Sequence, residues 1–228
     1  MFVICAGAAK GLVEGLRDRF ERETGVTIDA TFGAVGALKE TLLAGAPCDA
    51  IGLTQRMLEQ LARDGLVVAD TIVPLGRVYT GVAVRVGDVD PSIGSPDGLR
   101  DALAAATGVY FPDPERATAG IHFMRVLDAL GVRDAMAPKL RPYPNGATAM
   151  AALASATEAR PIGCTQVTEI VYTRGVRLVG KLPQAFELAT VYAMAVATRA
   201  AQPALARRFI ALATGPESEG LRRSGGFE

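Results

Sequence analysis

Three ionisable side chains stand where a polar reaction would need them. Lys10 follows the small-residue stretch Gly7-Ala8-Ala9, His122 lies one residue into the apolar run Ile121–Leu130, and Glu169 follows the strand-like segment Ile162–Val167. A lysine with a lowered pKa, an imidazole titrating near neutrality and a carboxylate together make a proton-transfer set. Each also has an ordinary alternative: a solvated lysine on a first helical turn, a hydrogen-bonded packing histidine, and a glutamate favoured by a helix dipole. A second set does its chemistry with backbone alone. Gly7-Ala8-Ala9, Gly33-Ala34-Val35-Gly36, Ala117-Thr118-Ala119-Gly120 and Asn145-Gly146-Ala147-Thr148 each lead into a helical pattern. All four are predicted to open a helix without the usual side-chain cap. The first turn of a helix carries unpaired N–H groups and a partial positive charge. With no side chain to satisfy them, those groups are free to hold an anion. Glycine acting as a tolerated cap is the plain alternative.

The elements that must position these groups alternate in a regular way. Phe2–Ala6, Val26–Thr31 and Asp49–Leu53 read as strands. Between and after them, Leu12, Leu16 and Phe20, then Leu38, Leu42 and Leu43, then Met57, Leu58 and Leu61 mark the apolar faces of three helices. This β-α-β-α-β rhythm predicts a parallel α/β sheet. Val78–Arg85 is a longer strand, and Ser95-Pro96-Asp97 opens a conventionally capped helix. Further strands are expected at Val109–Phe111, Ile162–Val167, Val176–Val179 and Val191–Ala197, and further helices at Ile121–Leu130, Ala149–Ala156 and Ala204–Ala213. The chain exceeds one α/β unit of about 150 residues, yet no linker divides it. Two α/β lobes joined by two crossing strands, Val78–Arg85 and Ala189–Ala197, reconcile these facts. The expected division is residues 1–80 with 192–228 for lobe I and 81–191 for lobe II. Such a fold places ligands in an interdomain cleft, at strand C-terminal ends facing helix starts.

Composition narrows the function. Half of the 228 residues are hydrophobic, and 24 Lys and Arg balance 24 Asp and Glu. A neutral chain with no basic patch is not expected to bind nucleic acid. No P-loop, G-x-G-x-x-G, G-x-S-x-G or H-E-x-x-H motif is present. One histidine and three isolated cysteines, Cys5, Cys48 and Cys164, make no metal-ligand set, so neither metal nor cofactor is expected. The cysteines read as buried free thiols, and no leader pattern follows Met1. Both point to the cytoplasm, or to the periplasm if a leader precedes Met1.

Several segments carry a resemblance. Glu23-Thr24-Gly25-Val26-Thr27, Thr31 through Leu38, Leu43-Ala44-Gly45-Ala46-Pro47-Cys48-Asp49-Ala50, Asp113-Pro114 with Ala119-Gly120, and Gly225-Gly226-Phe227 resemble the periplasmic molybdate-binding protein family. The resemblance implies a type II periplasmic-binding-protein fold with an anion in its cleft. It also implies two oxyanion-binding serines, one after the first strand and one in the second loop. This chain has Gly7-Ala8-Ala9 and Ala34-Val35-Gly36 there, and Gln166 matches the family's late tyrosine. A tetrahedral oxyanion wants several short hydrogen bonds. The lost hydroxyls and the added Val35 therefore favour a carboxylate ligand over molybdate. Its expected contacts are Gly7, Ala8, Ala9 and Lys10, then Gly33, Ala34, Val35 and Gly36, and then Thr118, Ala119, Gly120, Asn145, Thr165 and Gln166. The segments Gln166–Ile170 and Gly180–Pro183 resemble a divergent branch that includes the aconitate isomerases.

Two functions follow. One is a receptor for a small anion, partnered by an ABC transporter membrane component if exported. The other is a cofactor-independent, cytoplasmic isomerase moving an allylic proton on a tricarboxylate such as aconitate, with Lys10, His122 and Glu169 as candidate acid–base groups.

Overall fold

The structure, a computed structural model, describes all residues from Met1 to Glu228. The chain forms two compact units, Met1–Val78 with Thr190–Glu228, and Tyr79–Ala189.

The first unit begins with β1 (Phe2–Ala6), α1 (Lys10–Thr24), β2 (Asp29–Gly33), α2 (Val35–Leu43), β3 (Ala50–Thr54) and α3 (Gln55–Arg63). The chain leaves it within β4 (Val73–Arg85). The second unit continues with α4 (Pro96–Ala105), β5 (Val109–Pro112), α5 (Thr118–Ala129), α6 (Arg133–Met136), β6 (Leu140–Tyr143), α7 (Gly146–Ala154), β7 (Ile162–Gln166), α8 (Val167–Tyr172) and β8 (Val176–Lys181). The chain returns within β9 (Ala189–Val196) and ends in α9 (Pro203–Thr214) and α10 (Glu219–Ser224). No helix is long and apolar enough to cross a membrane.

In the first unit the strand order is β2-β1-β3-β9. β1 runs parallel to both β2 and β3, and β9 runs antiparallel to β3. The register pairs Ala6 with Gly33, so β1 and β2 finish level. The segments that follow them, Gly7–Ala9 and Ala34–Gly36, therefore leave the same edge of the sheet side by side. α1 buries Leu12, Val13, Leu16 and Phe20, and Phe20 meets Phe209 of α9 edge-on with centroids 5.2 Å apart. Gly25 ends α1 at φ +70°, the left-handed conformation a C-terminal glycine adopts at least cost.

In the second unit the order is β4-β7-β5-β6, with β8 also on β4. β5 is parallel to β6 and β7, and β4 is antiparallel to β7. The starts of α5, α7 and α8 thus emerge at one edge, beyond the C-terminal ends of β5, β6 and β7. Phe111, Phe123, Leu99, Leu103 and Leu127 fill one side of this sheet, and Met150, Leu153 and Ile170 the other.

Several boundaries differ from those read in the sequence. Val26–Ile28 is not strand: the Val26 N–H donates to Thr24 Oγ1 and the Ile28 N–H to Glu21 Oε1, so these residues are tied back to the end of α1 and β2 begins at Asp29. β4 begins at Val73, before the expected Val78. β6 was not foreseen, since Leu-Arg-Pro-Tyr offers no alternating pattern and proline removes a ladder donor.

Candidate functional site

In the first unit, α1 starts after Ala9 and α2 after Ala34, and neither start has a side-chain cap. Ala8, Ala9, Ala34 and Val35 are buried, so the first turns sit in a small-residue, apolar setting. Lys10 is the first residue of α1, half-buried, with Nζ 5.6 Å from the centroid of the Phe32 ring. A cation at this end opposes the helix dipole by about 0.3–1 kcal/mol. No acidic residue lies in the first turn of α1 or α2.

In the second unit, α5 follows Ala117, again without a side-chain cap and without an acid in its first turn. Asp113 uses Oδ1 to accept the N–H groups of Glu115 and Arg116, which orders the approach to α5. Gly120 is small for a packing reason: a Cβ there would lie 2.2 Å from the Asp113 and Pro112 carbonyl oxygens. α9 also lacks a side-chain cap, but Pro203 at its first turn removes one of its donors.

The fourth start corrects the sequence reading. Asn145 is a full cap: Oδ1 accepts the Thr148 N–H at 2.9 Å, and Thr148 Oγ1 accepts the Asn145 N–H at 3.2 Å. The Thr165 hydroxyl donates to the Glu169 carboxyl at 2.5 Å, and the Gly146, Ala147 and Gln166 N–H groups lie close enough to favour its charged form. Asn145 thus caps its own helix through Thr148, and Thr165 bonds Glu169. The physical reason is proximity across the chain. α7 and α8 start at one sheet edge, and Glu169, in the first turn of α8, reaches the starts of both helices. Burial pushes its pKa up from the usual carboxylate value, against the pull of the Thr165 hydroxyl and the nearby backbone N–H groups. Gly146 makes the approach feasible, because a Cβ there would stand 1.9 Å from Glu169 Oε2 and 2.1 Å from Thr165 Oγ1.

His122 is half-buried on α5, and its Nε2 lies 2.8 Å from the Phe186 carbonyl oxygen. That bond anchors the Gln184–Phe186 turn and shares no partner with the Glu169 cluster. Gln166, at the end of β7, is 2% exposed, and neither amide atom of its side chain has a hydrogen-bond partner.

Sequence reasoning missed the role of Asp49, which belongs to the segment most specific to the resemblance. It is 1% exposed, accepting the Phe2 N–H at 2.7 Å and the Gln202 N–H at 2.8 Å. It ties β1 to the start of α9 and is structural. Its place two residues after Pro47, with no partner in sequence, was the only available signal.

The sequence profile of bacterial extracellular solute-binding proteins matches residues 1–228. The chain belongs to this family. Among its relatives is an aconitate isomerase of Pseudomonas sp, 26% identical over 214 residues, covering 91% of this chain and 79% of that protein. Another is the molybdate-binding protein ModA of Escherichia coli strain K12, 26% identical over 228 residues, covering 99% and 87%. The fold matches that of the Azotobacter vinelandii periplasmic molybdate-binding protein with a TM-score of 0.82 at 19% identity, covering 100% of this chain and 98% of that one. The α/β architecture is therefore that of the periplasmic binding proteins, with Ala8, Ala9, Ala34 and Val35 at the first-unit helix starts.

Proposed function

We propose that the chain is a receptor for a small organic anion whose carboxylates are held by backbone N–H groups at bare helix starts. The carrying observation is the contrast among the helix starts. α3 and α4 have side-chain caps in Thr54 and Ser95, and α7 has Asn145 and Glu169, while Ala9, Ala34 and Ala117 offer nothing. Lys10 at the first position of α1 adds a positive charge that a bound carboxylate offsets. Gly7, Ala8, Ala9, Lys10, Gly33, Ala34, Val35 and Gly36 form the first unit's share of the binding groups. Thr118, Ala119, Gly120 and Gln166 are the candidate contacts within the second unit. Molybdate is a poor ligand in this reading, because it wants hydroxyl donors that these loops lack. As a receptor, the chain works with the membrane component of an ABC transporter.

Calorimetric titration with dicarboxylates, tricarboxylates and molybdate tests the proposal. Carboxylate binding with weak or absent molybdate binding supports it. Tight molybdate binding without carboxylate binding refutes it.

The aconitate isomerase relative favours a second reading, proton transfer across an allylic tricarboxylate in the cytoplasm. The three buried free thiols fit a reducing compartment. Lys10 and His122 are the acid–base groups in this reading, since Glu169 is engaged in holding α7 and α8. Incubation with saturating trans-aconitate, followed by NMR, decides it: absence of the cis isomer leaves the receptor alone.

A further inference from the structure

Four of the five buried side-chain polar atoms without a hydrogen-bond partner lie in the second unit, on Thr80, Gln166 and Thr168. These residues are 1%, 2% and 4% exposed. The antiparallel register of β4 and β7 sets Thr80 directly opposite Gln166, so the two share a face of the sheet, and Thr168 follows two residues later on α8. Buried polar groups are nearly always paired, and a cluster of unpaired ones calls for a partner. The cluster is neutral, and its chemistry is mixed. The Gln166 amide offers one group that only donates and one that only accepts, and the two threonine hydroxyls do either. Whichever way the amide is turned, it presents one donor group and one acceptor atom, and neither has a partner.

We propose that this cluster recognises a hydroxyl on the ligand, so that the ligand class is a hydroxycarboxylate. This rests on the carboxylate-receptor reading and sharpens it. A hydroxyl donates to Gln166 Oε1 and accepts from Gln166 Nε2 or a threonine, which satisfies both kinds of group at once. A fully ionised oxyanion or plain carboxylate has acceptors only, and leaves the Gln166 oxygen unpaired or facing negative oxygen. Sites built around a ligand hydroxyl reject the analogue that lacks it far more strongly than apolar pockets reject a missing methylene.

The test uses the full chain and two matched pairs, malate with succinate and citrate with tricarballylate, each titrated by calorimetry. In at least one pair the hydroxylated member is expected to bind tenfold tighter or more, which is about 1.4 kcal/mol. In Gln166→Met the ratio falls to within about twofold, because the hydroxylated member loses more affinity than the deoxy member. Gln166→Met also raises the thermal midpoint of the ligand-free protein, because a buried group without a partner has been removed. Thr80→Val, a smaller change on the opposite strand, reduces the ratio in the same direction and serves if Gln166→Met does not fold. Equal affinities within both pairs overturn the hydroxyl inference and leave the carboxylate reading standing. Failure of all four acids to bind removes both. A lowered midpoint in Gln166→Met marks Gln166 as scaffold and overturns the inference.

Discussion

The starts of α7 and α1 solve the same problem in opposite ways. Both helices follow a parallel strand, and both begin in small residues. At α7 the chain supplies its own partners: Asn145 and Thr148 cap each other, and the buried Glu169 carboxyl packs against Gly146 at the first turn. At α1 the chain supplies nothing of the kind. Ala9 cannot cap, no acid lies in the first turn, and Lys10 adds charge of the same sign as the helix end. A single fold thus contains a helix start closed by an internal carboxyl and others that are bare. The closed start shows what the bare ones lack, and so what chemical group would complete them.

The largest expected effect comes from breaking the closed start. Gly146→Ala forces a methyl group into the oxygens of the buried Glu169 and Thr165 side chains. A loss of about 3 kcal/mol or more in urea unfolding is expected, since overpacking and broken buried hydrogen bonds combine. Glu169→Gln is milder. It keeps the shape but turns donors toward donors, and about 2 kcal/mol of stability should go. The pH dependence has a definite sign. Burial raises the native pKa of Glu169 above its unfolded value. Its contribution to stability is therefore full below the ordinary carboxylate range and declines as pH rises through the native value. The variant has no such decline, so the stability gap between the two proteins should narrow as pH is raised from 4 upward.

Smaller effects separate scaffold from site. Asn145→Ala should cost about 1 kcal/mol, the usual worth of an N-cap, and leave carboxylate affinity unchanged. Ala34→Ser should do the reverse: it offers α2 a cap worth up to about 1 kcal/mol and competes with the ligand for the same N–H groups. Lys10→Met should weaken carboxylate binding, by removing a cation beside the proposed anion. If Lys10→Met and Asn145→Ala change affinity equally, the distinction between the two starts fails.

The alternation of strands and helices was legible because each element is declared locally, by β-branched runs and by leucines at helical spacing. The conventional cap of α4 was equally plain, since Ser95 and Pro96 are neighbours of the turn they stabilise. The closed state of α7 was not legible. Asn145 sat in view as an ordinary cap residue, but the small residues after it read as bareness. Their actual reason, room for Glu169, lies 23 positions away from Gly146 and exists only once α7 and α8 start at one sheet edge. For the same reason Thr165 and Glu169 looked available, although their bond to each other spans just one helical turn's worth of chain. A polar residue at a helix start shows a capacity for hydrogen bonding, while its partner is fixed by tertiary packing.

The most direct test is an amide-resolved NMR titration of the whole protein with citrate. The account predicts that the largest shifts fall on the amides of Ala8, Ala9, Val35, Gly36, Thr118 and Ala119, while those of Gly146 and Ala147, beside the Glu169 carboxyl, stay in place. Shifts centred on Gly146 and Ala147, with α1 and α2 silent, would contradict it.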